Sequence, residues 1–301
     1  MNKTMKAVCV AAGLAVSAGA VAHEMRYKPF ILGHETTGSL QSAVSATRRA
    51  LAAHGFTLVG QYSPVPGAVA ICATDPELLH AAAHARRNGG FGAVQRVSVT
   101  KVGNTIQVSY ANPAYVAIAY GLGPLPTTVG NLKAALGSQL AFGSRRGLTR
   151  SDLKPGNYHY FIGMPYFENV DHIRRFKTYA DAVNTVRRNL QAHIAGTSLV
   201  YEVNIPGAKM PTTVFGVGLS QGHGRDAKVL SVTDYRHDKG NAYAPYEMLV
   251  QGRRVIALRP RYRIAVNFPD TPMMGSHGFM TIMSAPGAIR HTLARVAGRH
   301  G

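Results

Sequence analysis

The chain has 301 residues, 33 of them Lys or Arg against 14 Asp or Glu, for a net charge of +19. That excess favours anionic partners, while the lack of arginine-aromatic interleaving or a nucleic-acid module argues against specific nucleic-acid recognition. With 46% hydrophobic residues the chain is long enough to bury two cores, and with two cysteines it is no disulfide scaffold.

Residues 1–22 read as a cleavable signal peptide. Lys3 and Lys6 precede the small and apolar run Ala7–Ala22, with cleavage expected after Ala20 or Ala22. No later segment offers about 18 uninterrupted apolar residues, so the mature protein is expected to be soluble, without a transmembrane helix, and periplasmic or secreted. Cys9 falls within the signal. Cys72 sits in the strand-like run Val69–Ala73, where cysteine acts as a small hydrophobe.

Thr36–Gly55 has the spacing of an amphipathic helix capped by Thr37 or Ser39, with Leu40, Val44 and Leu51 near one face. Phe56–Gln61 and Ala68–Ala73 read as strands around a Pro-Gly turn. Asp75-Pro76 opens a short helix that Asn88-Gly89-Gly90 breaks. Val94–Lys101 and Thr105–Tyr110 flank a tight turn at Gly103-Asn104, Asn112-Pro113 opens another helix, and Leu132–Phe142 closes the first half. The Gly-, Ser- and Arg-containing stretch 143–156 reads as a linker.

The first helix then returns. Ala43, Val44, Arg48, Arg49, Leu51, Ala53 and His54 recur as Ala182, Val183, Arg187, Arg188, Leu190, Ala192 and His193, and each copy is followed by Pro-Gly-Ala, at 66–68 and 206–208. The second helix is expected over Lys177–Gly196, with strands at Ser198–Asn204, Thr212–Leu219, Val229–Asp234, Arg254–Leu258, Arg263–Phe268 and Phe279–Met283. Ala285-Pro286 opens a last helix. The expected class is α+β: two related modules, 24–142 and 157–301, each a mainly antiparallel sheet covered by helices.

The first helix and turn, Cys-Ala-Thr-Asp-Pro-Glu-Leu-Leu-His at 72–80 and Val-Ser-Tyr-Ala-Asn-Pro-Ala-Tyr at 108–115 resemble the family called domain of unknown function 302. The likeness covers about Thr36–Leu122 and more loosely the second half, where Tyr158-His159-Tyr160, Gly163–Phe167 and Ala244-Pro245-Tyr246-Glu247 resemble a longer exported subgroup with two such modules. It implies a compact α+β module, often dimeric, and no catalytic residues to carry over.

Four chemistries are open to the residues. Gly218-Leu219-Ser220-Gln221-Gly222 follows a strand and matches the nucleophile elbow of serine hydrolases, with Asp234 or Asp270 and His277 or His291 in chain order for a triad. The glycine-rich residues behind it do not suit the helix that elbow needs. A soft-metal site for copper is a second reading, with His23, His159, Met164 and His277 as candidate ligands. No motif supports haem or structural zinc. Third, the aromatic stretch Asn157–Phe167 suits a small-ligand cleft between the modules, lined by His159, Tyr160, Tyr166, Tyr246 and Glu247. Glu247, in apolar company, needs a cation such as Arg253, Arg254 or Arg263. Fourth, no acid lies between Glu77 and Asp152, and Arg145 and Arg146 are the expected contacts to an anionic envelope surface. With no coherent catalytic set, the sequence favours a non-enzymatic envelope binding or accessory protein over a serine hydrolase using Ser220.

Overall fold

The computed structural model describes residues 24–161 and 163–299. Residues 1–22, expected to be a signal peptide, and the candidate ligand His23 lie outside the described residues. No described helix is long and apolar enough to cross a membrane.

In chain order the elements are β1 (Arg26–Tyr27), β2 (Phe30–Thr36), α1 (Leu40–Ala53), β3 (Thr57–Tyr62), β4 (Ala68–Thr74), α2 (Pro76–His84), β5 (Gln95–Val102), β6 (Thr105–Ala111), α3 (Pro113–Tyr120), α4 (Pro126–Leu136) and β7 (Leu140–Phe142). Next come β8 (Leu148–Thr149), α5 (Arg150–Leu153), β9 (Val170–Arg175), α6 (Tyr179–Gln191), β10 (Thr197–Asn204), β11 (Thr212–Leu219), α7 (Asp226–Thr233), β12 (Tyr246–Gln251), β13 (Arg254–Leu258), α8 (Pro260–Asn267) and α9 (Ala285–Val296). The fold is α+β with antiparallel sheets. One sheet runs β3-β4-β5-β6-β2-β7 and the other β10-β11-β12-β13-β9, so the first five strands of each follow the same order. The stretch 143–156 is not bare linker, because β8 pairs with β1 and Thr149 and Asp152 form a capping box on α5.

Local signals explain most of these elements. Ser39 caps α1 and Asp75 caps α2 by accepting from backbone N–H groups, with Pro76 in the first turn where its missing donor costs nothing. Thr178 caps α6 in the same way. Three expectations fail. Val229–Asp234 lies in α7, Arg263–Phe268 in α8, and Phe279–Met283 in a 3-10 turn, Phe279–Ile282. Their Val, Ile and Phe residues favour strands, but the segments in α7 and α8 are buried on several sides and tertiary packing overrides that preference, whereas Phe279–Met283 buries only Phe279 and Ile282. Pro260 at the head of α8 repeats the signal that Pro113 gives α3. Strands β1, β2, β8, β9 and β12 have no counterpart in the sequence reading.

Each sheet has one face under its own helices. Leu51 of α1 and Leu132 of α4 pack on Ile71, Val97 and Val108, while Val186 and Leu190 of α6 and Leu293 of α9 pack on Phe215, Met248 and Val255. The other faces are covered reciprocally. Leu78 of α2 and Tyr115 of α3 join the core against Leu249 and Ile256, and Leu230 of α7 with Ile264 of α8 joins that against Phe30 and Ala111.

The hydrogen bonds repeat this reciprocity. Tyr115 of α3 donates its hydroxyl to the carbonyl of Val266 in α8 at 2.6 Å, and Tyr262 of α8 donates to the carbonyl of Ala119 in α3 at 3.3 Å. Both tyrosines stand two residues after the proline that opens their helix. The edge strands β3 and β10 meet beside β-bulges in each, and a Cβ on Gly60 would lie 1.9 Å from the Val200 carbonyl. Only glycine permits that approach.

Candidate functional site

The inner faces of the sheets enclose a buried ion cluster. Arg96 on β5 pairs with Glu247 on β12, and Arg263 on α8 donates from Nε to the other carboxylate oxygen at 2.8 Å. Arg96 also gives Nε–H to the Ala242 carbonyl at 2.9 Å, and Arg263 lies over the faces of Tyr243 and Tyr246 at 4.3 and 4.6 Å. Burial pulls both arginines toward losing a proton, but the Glu247 carboxylate prevails and holds each above its ordinary range. Of the cations expected for Glu247, Arg263 is its partner. Arg96, which comes from the other half, was not foreseen.

This placement corrects the cleft expected from sequence. Tyr246 and Glu247 are excluded from solvent, and the Tyr246 hydroxyl is spent on the Leu258 carbonyl at 2.6 Å. Neither can line an open pocket. Tyr166 is half-buried against the His159 ring, 4.9 Å between centroids.

Other predicted residues do converge. Arg145, Arg146, His159 and Tyr160 border one groove of about 530 Å³ with Arg236 and Asp270. Ser144, Arg236 and Asp270 are shared with a deeper adjoining cavity of about 210 Å³, whose walls include Phe30, Phe142, Phe268 and Tyr235. The groove is built by four connections, those after β7, α5, α7 and α8. Asp270 accepts from the Ser144 hydroxyl at 3.0 Å and from the Arg145 N–H, and Tyr160 donates its hydroxyl to the Thr271 carbonyl. Arg145, Arg146 and Arg236 remain exposed around it. The one carboxylate among the groove residues, Asp270, is taken up by those local donors, so three guanidinium groups dominate the mouth.

Asp234 lines the deeper cavity at the end of α7. Its Oδ1 accepts from the Gly240 N–H at 2.8 Å, yet burial pushes its carboxyl up to about 7. Arg236 and Phe30 were not assigned to any site from sequence and Asp234 only as a candidate triad acid, since Phe30 lies far along the chain from the other two and none of the three sits in a binding motif. The chemistry available is that of an amphiphile site: aromatic walls for an apolar body and arginines for its anionic end.

The remaining candidates stand elsewhere. Ser220 is exposed at the end of β11, and its hydroxyl donates to the Gly196 carbonyl at 2.8 Å. The His277 ring stacks on Tyr235 at 3.9 Å, whereas Met164 is half-buried in the aromatic stretch. Among the described residues, no three His, Cys, Asp or Glu side chains gather in a metal-binding group. Cys72 is fully buried in β4, and burial pushes its thiol up, which removes thiolate character.

No family model, curated protein or solved structure matches the chain at a significant level.

Proposed function

We propose that this is an exported, non-enzymatic binding protein of the cell envelope, built of two related modules over 24–142 and 157–301, that holds a small anionic amphiphile. The observation that carries this reading is the continuity of the two spaces around Ser144, Arg236 and Asp270, with aromatic walls in one and exposed arginines at the other. An anionic head seats against Arg145, Arg146 and Arg236, and an apolar ring or short chain enters between Phe142, Phe268 and Tyr235. His159 and Tyr160 shape the mouth. Arginine suits this task because its planar fork binds oxyanions bidentately and its charge is permanent.

The test is calorimetric titration with 2-naphthalenesulfonate, whose charge is fixed across neutral pH, against uncharged 2-naphthol. The sulfonate is expected to bind and the alcohol to bind more weakly. The double variant R145A/R146A is expected to lose roughly tenfold in sulfonate affinity, in the range that charge-assisted contacts supply. Asp234 adds a pH dependence. Below about 7 its carboxyl is protonated and neutral, and above that value it repels an anion. Affinity should therefore be higher at pH 6 than at pH 8, and Asp234→Asn should flatten the profile. Equal binding of alcohol and sulfonate, or indifference to R145A/R146A, would exclude the assignment.

A further inference from the structure

The two sheets differ at one edge. In the first, β2 is covered by β7, which pairs antiparallel across Phe30, Ile31 and Leu32. The strand β9 holds the same place in the second sheet and carries its bulge at the corresponding point, Ile173 where β2 has Gly33. The neighbouring helix ends also correspond: His34 of β2 meets the Leu136 carbonyl that ends α4, and Arg174 of β9 donates to the Ala297 and Gly298 carbonyls that end α9. Among the described residues, however, β9 pairs only with β13 and no strand stands where β7 stands, although Arg299 donates from Nη1 to the Ile173 carbonyl of β9 at 3.0 Å.

Charge says what fits there. His172, Arg174, Arg175, Arg254 and Arg299 are all exposed around a groove of about 770 Å³ along this edge, and no carboxylate lines it. Arg175 and Arg254 are direct cross-strand partners. Like charges placed opposite each other weaken a sheet. A charged residue is enough to keep an edge from pairing indiscriminately, whereas an opposed arginine pair with further cations beside it calls for counter-charge. A second copy of this chain supplies little, with 14 acidic residues against 33 basic ones.

We propose that β9 receives an extended acidic segment of a partner polypeptide as a sixth strand, as β7 joins β2. Backbone pairing provides the attachment. Carboxylates on alternate residues of the segment meet Arg175 and Arg254, which share one face as cross-strand partners, and set its register. The site is separate from the groove around Asp270 and shares no residue with it.

The experiment is fluorescence anisotropy with a labelled Val-Glu-Val-Glu-Val-Glu peptide at low salt, beside the same peptide N-methylated at alternate amides. The unmodified peptide should bind, and both N-methylation and R175E/R254E should weaken it by roughly tenfold or more. Near-ultraviolet circular dichroism identical to the parent's checks that the variant is folded, and R145A/R146A should leave the peptide affinity unchanged. Inorganic polyphosphate is the competing probe. If the N-methylated peptide binds as well as the unmodified one, or if polyphosphate binds while the peptide does not, the edge is a general anion surface and strand addition is wrong. Absence of peptide binding at low salt overturns it as well.

Discussion

The strands β5 and β12 occupy the same place in their sheets, and at one matched position they carry opposite charges. Arg96 stands opposite Cys72, which itself faces Gly60 just past the bulge of β3. Glu247 stands opposite Gly216, which faces Tyr201 just past the bulge of β10. The matched residues meet each other across the inner faces. Two like charges there would repel at contact distance in a medium of low polarity. Two apolar residues would seal the interface without orienting it. Opposite charges join the halves and leave the Glu247 side different from the Arg96 side, because Arg263 adds a second ion pair on Glu247 alone of the two. The corresponding position on α3, two places before the carbonyl of Ile118, is the apolar Val116.

The sharpest way to break this comparison is Glu247→Leu. It removes the one anion that holds two arginines buried to 2% exposure or less. Leaving buried charge uncompensated costs about 3–5 kcal/mol, so the variant should unfold at much lower urea or fail to accumulate folded. The exchange R96E/E247R asks whether the two sides are equivalent. It restores one pair but sets a new guanidinium beside Arg263, and should recover little of the loss. Recovery to the parent's midpoint would show that the surroundings of the two positions are interchangeable.

The reciprocal tyrosines sharpen the comparison at smaller scale. Tyr115→Phe and Tyr262→Phe each delete a buried hydroxyl whose partner is a helix carbonyl on the other half. Each should cost about 1 kcal/mol in chemical denaturation. Tyr115→Phe should cost the more, because its bond is 2.6 Å and that of Tyr262 is 3.3 Å. Costs well under a tenth of those for Glu247→Leu would mean that the α3–α8 crossing is held by packing alone.

Legibility in the sequence followed the range of the signals. Caps at Ser39, Asp75 and Asn112 and the turn at Gly103-Asn104 depend on residues within four places of each other, and such elements were legible to within a few residues. The repeated helix pointed to two similar units, and the sheets do share an order of strands. What could not be read was how faces meet. Nothing local says that Arg96 finds Glu247 at a separation of 151 residues, or that Phe30, Asp234 and Asp270 adjoin one cavity. The β-branched content of α7 and α8 misled for the same reason, since their helical state is set by what surrounds them. Arg145 and Arg146 were legible as exposed because a polar Gly-Ser stretch stays at the surface, and His159 and Tyr160 as a cluster because they are adjacent. Their meeting at one groove depends on Asp270, which carries no motif.

The smallest difference between the halves is also the one most directly inherited from the repeat. Arg48 and Arg187 are the same position of the duplicated helix, and each reaches the same point on the following strand, one residue beyond the glycine or tyrosine that follows the bulge. Arg48 donates to Gln61 at 2.8 Å, whereas Arg187 makes a two-pronged pair with Glu202, with Nε to Oε2 at 2.7 Å. Glu202 holds the Arg187 guanidinium above its ordinary range through that hydrogen bond, more than solvation loss lowers it. The pair is partly exposed, at 37% and 19% for the two side chains, so water and salt screen it. Glu202→Gln converts the second half to the chemistry of the first and should lower stability by about 0.5 kcal/mol at low salt. Near 1 M salt, where screening acts within about 3 Å, most of that difference should vanish. Gln61→Glu makes the converse change and should raise stability by a similar amount with the same salt dependence. If Glu202→Gln is costly but Gln61→Glu gains nothing, the two helix-strand contacts are not equivalent and differ in how firmly the packing of β3 and β10 positions the arginine.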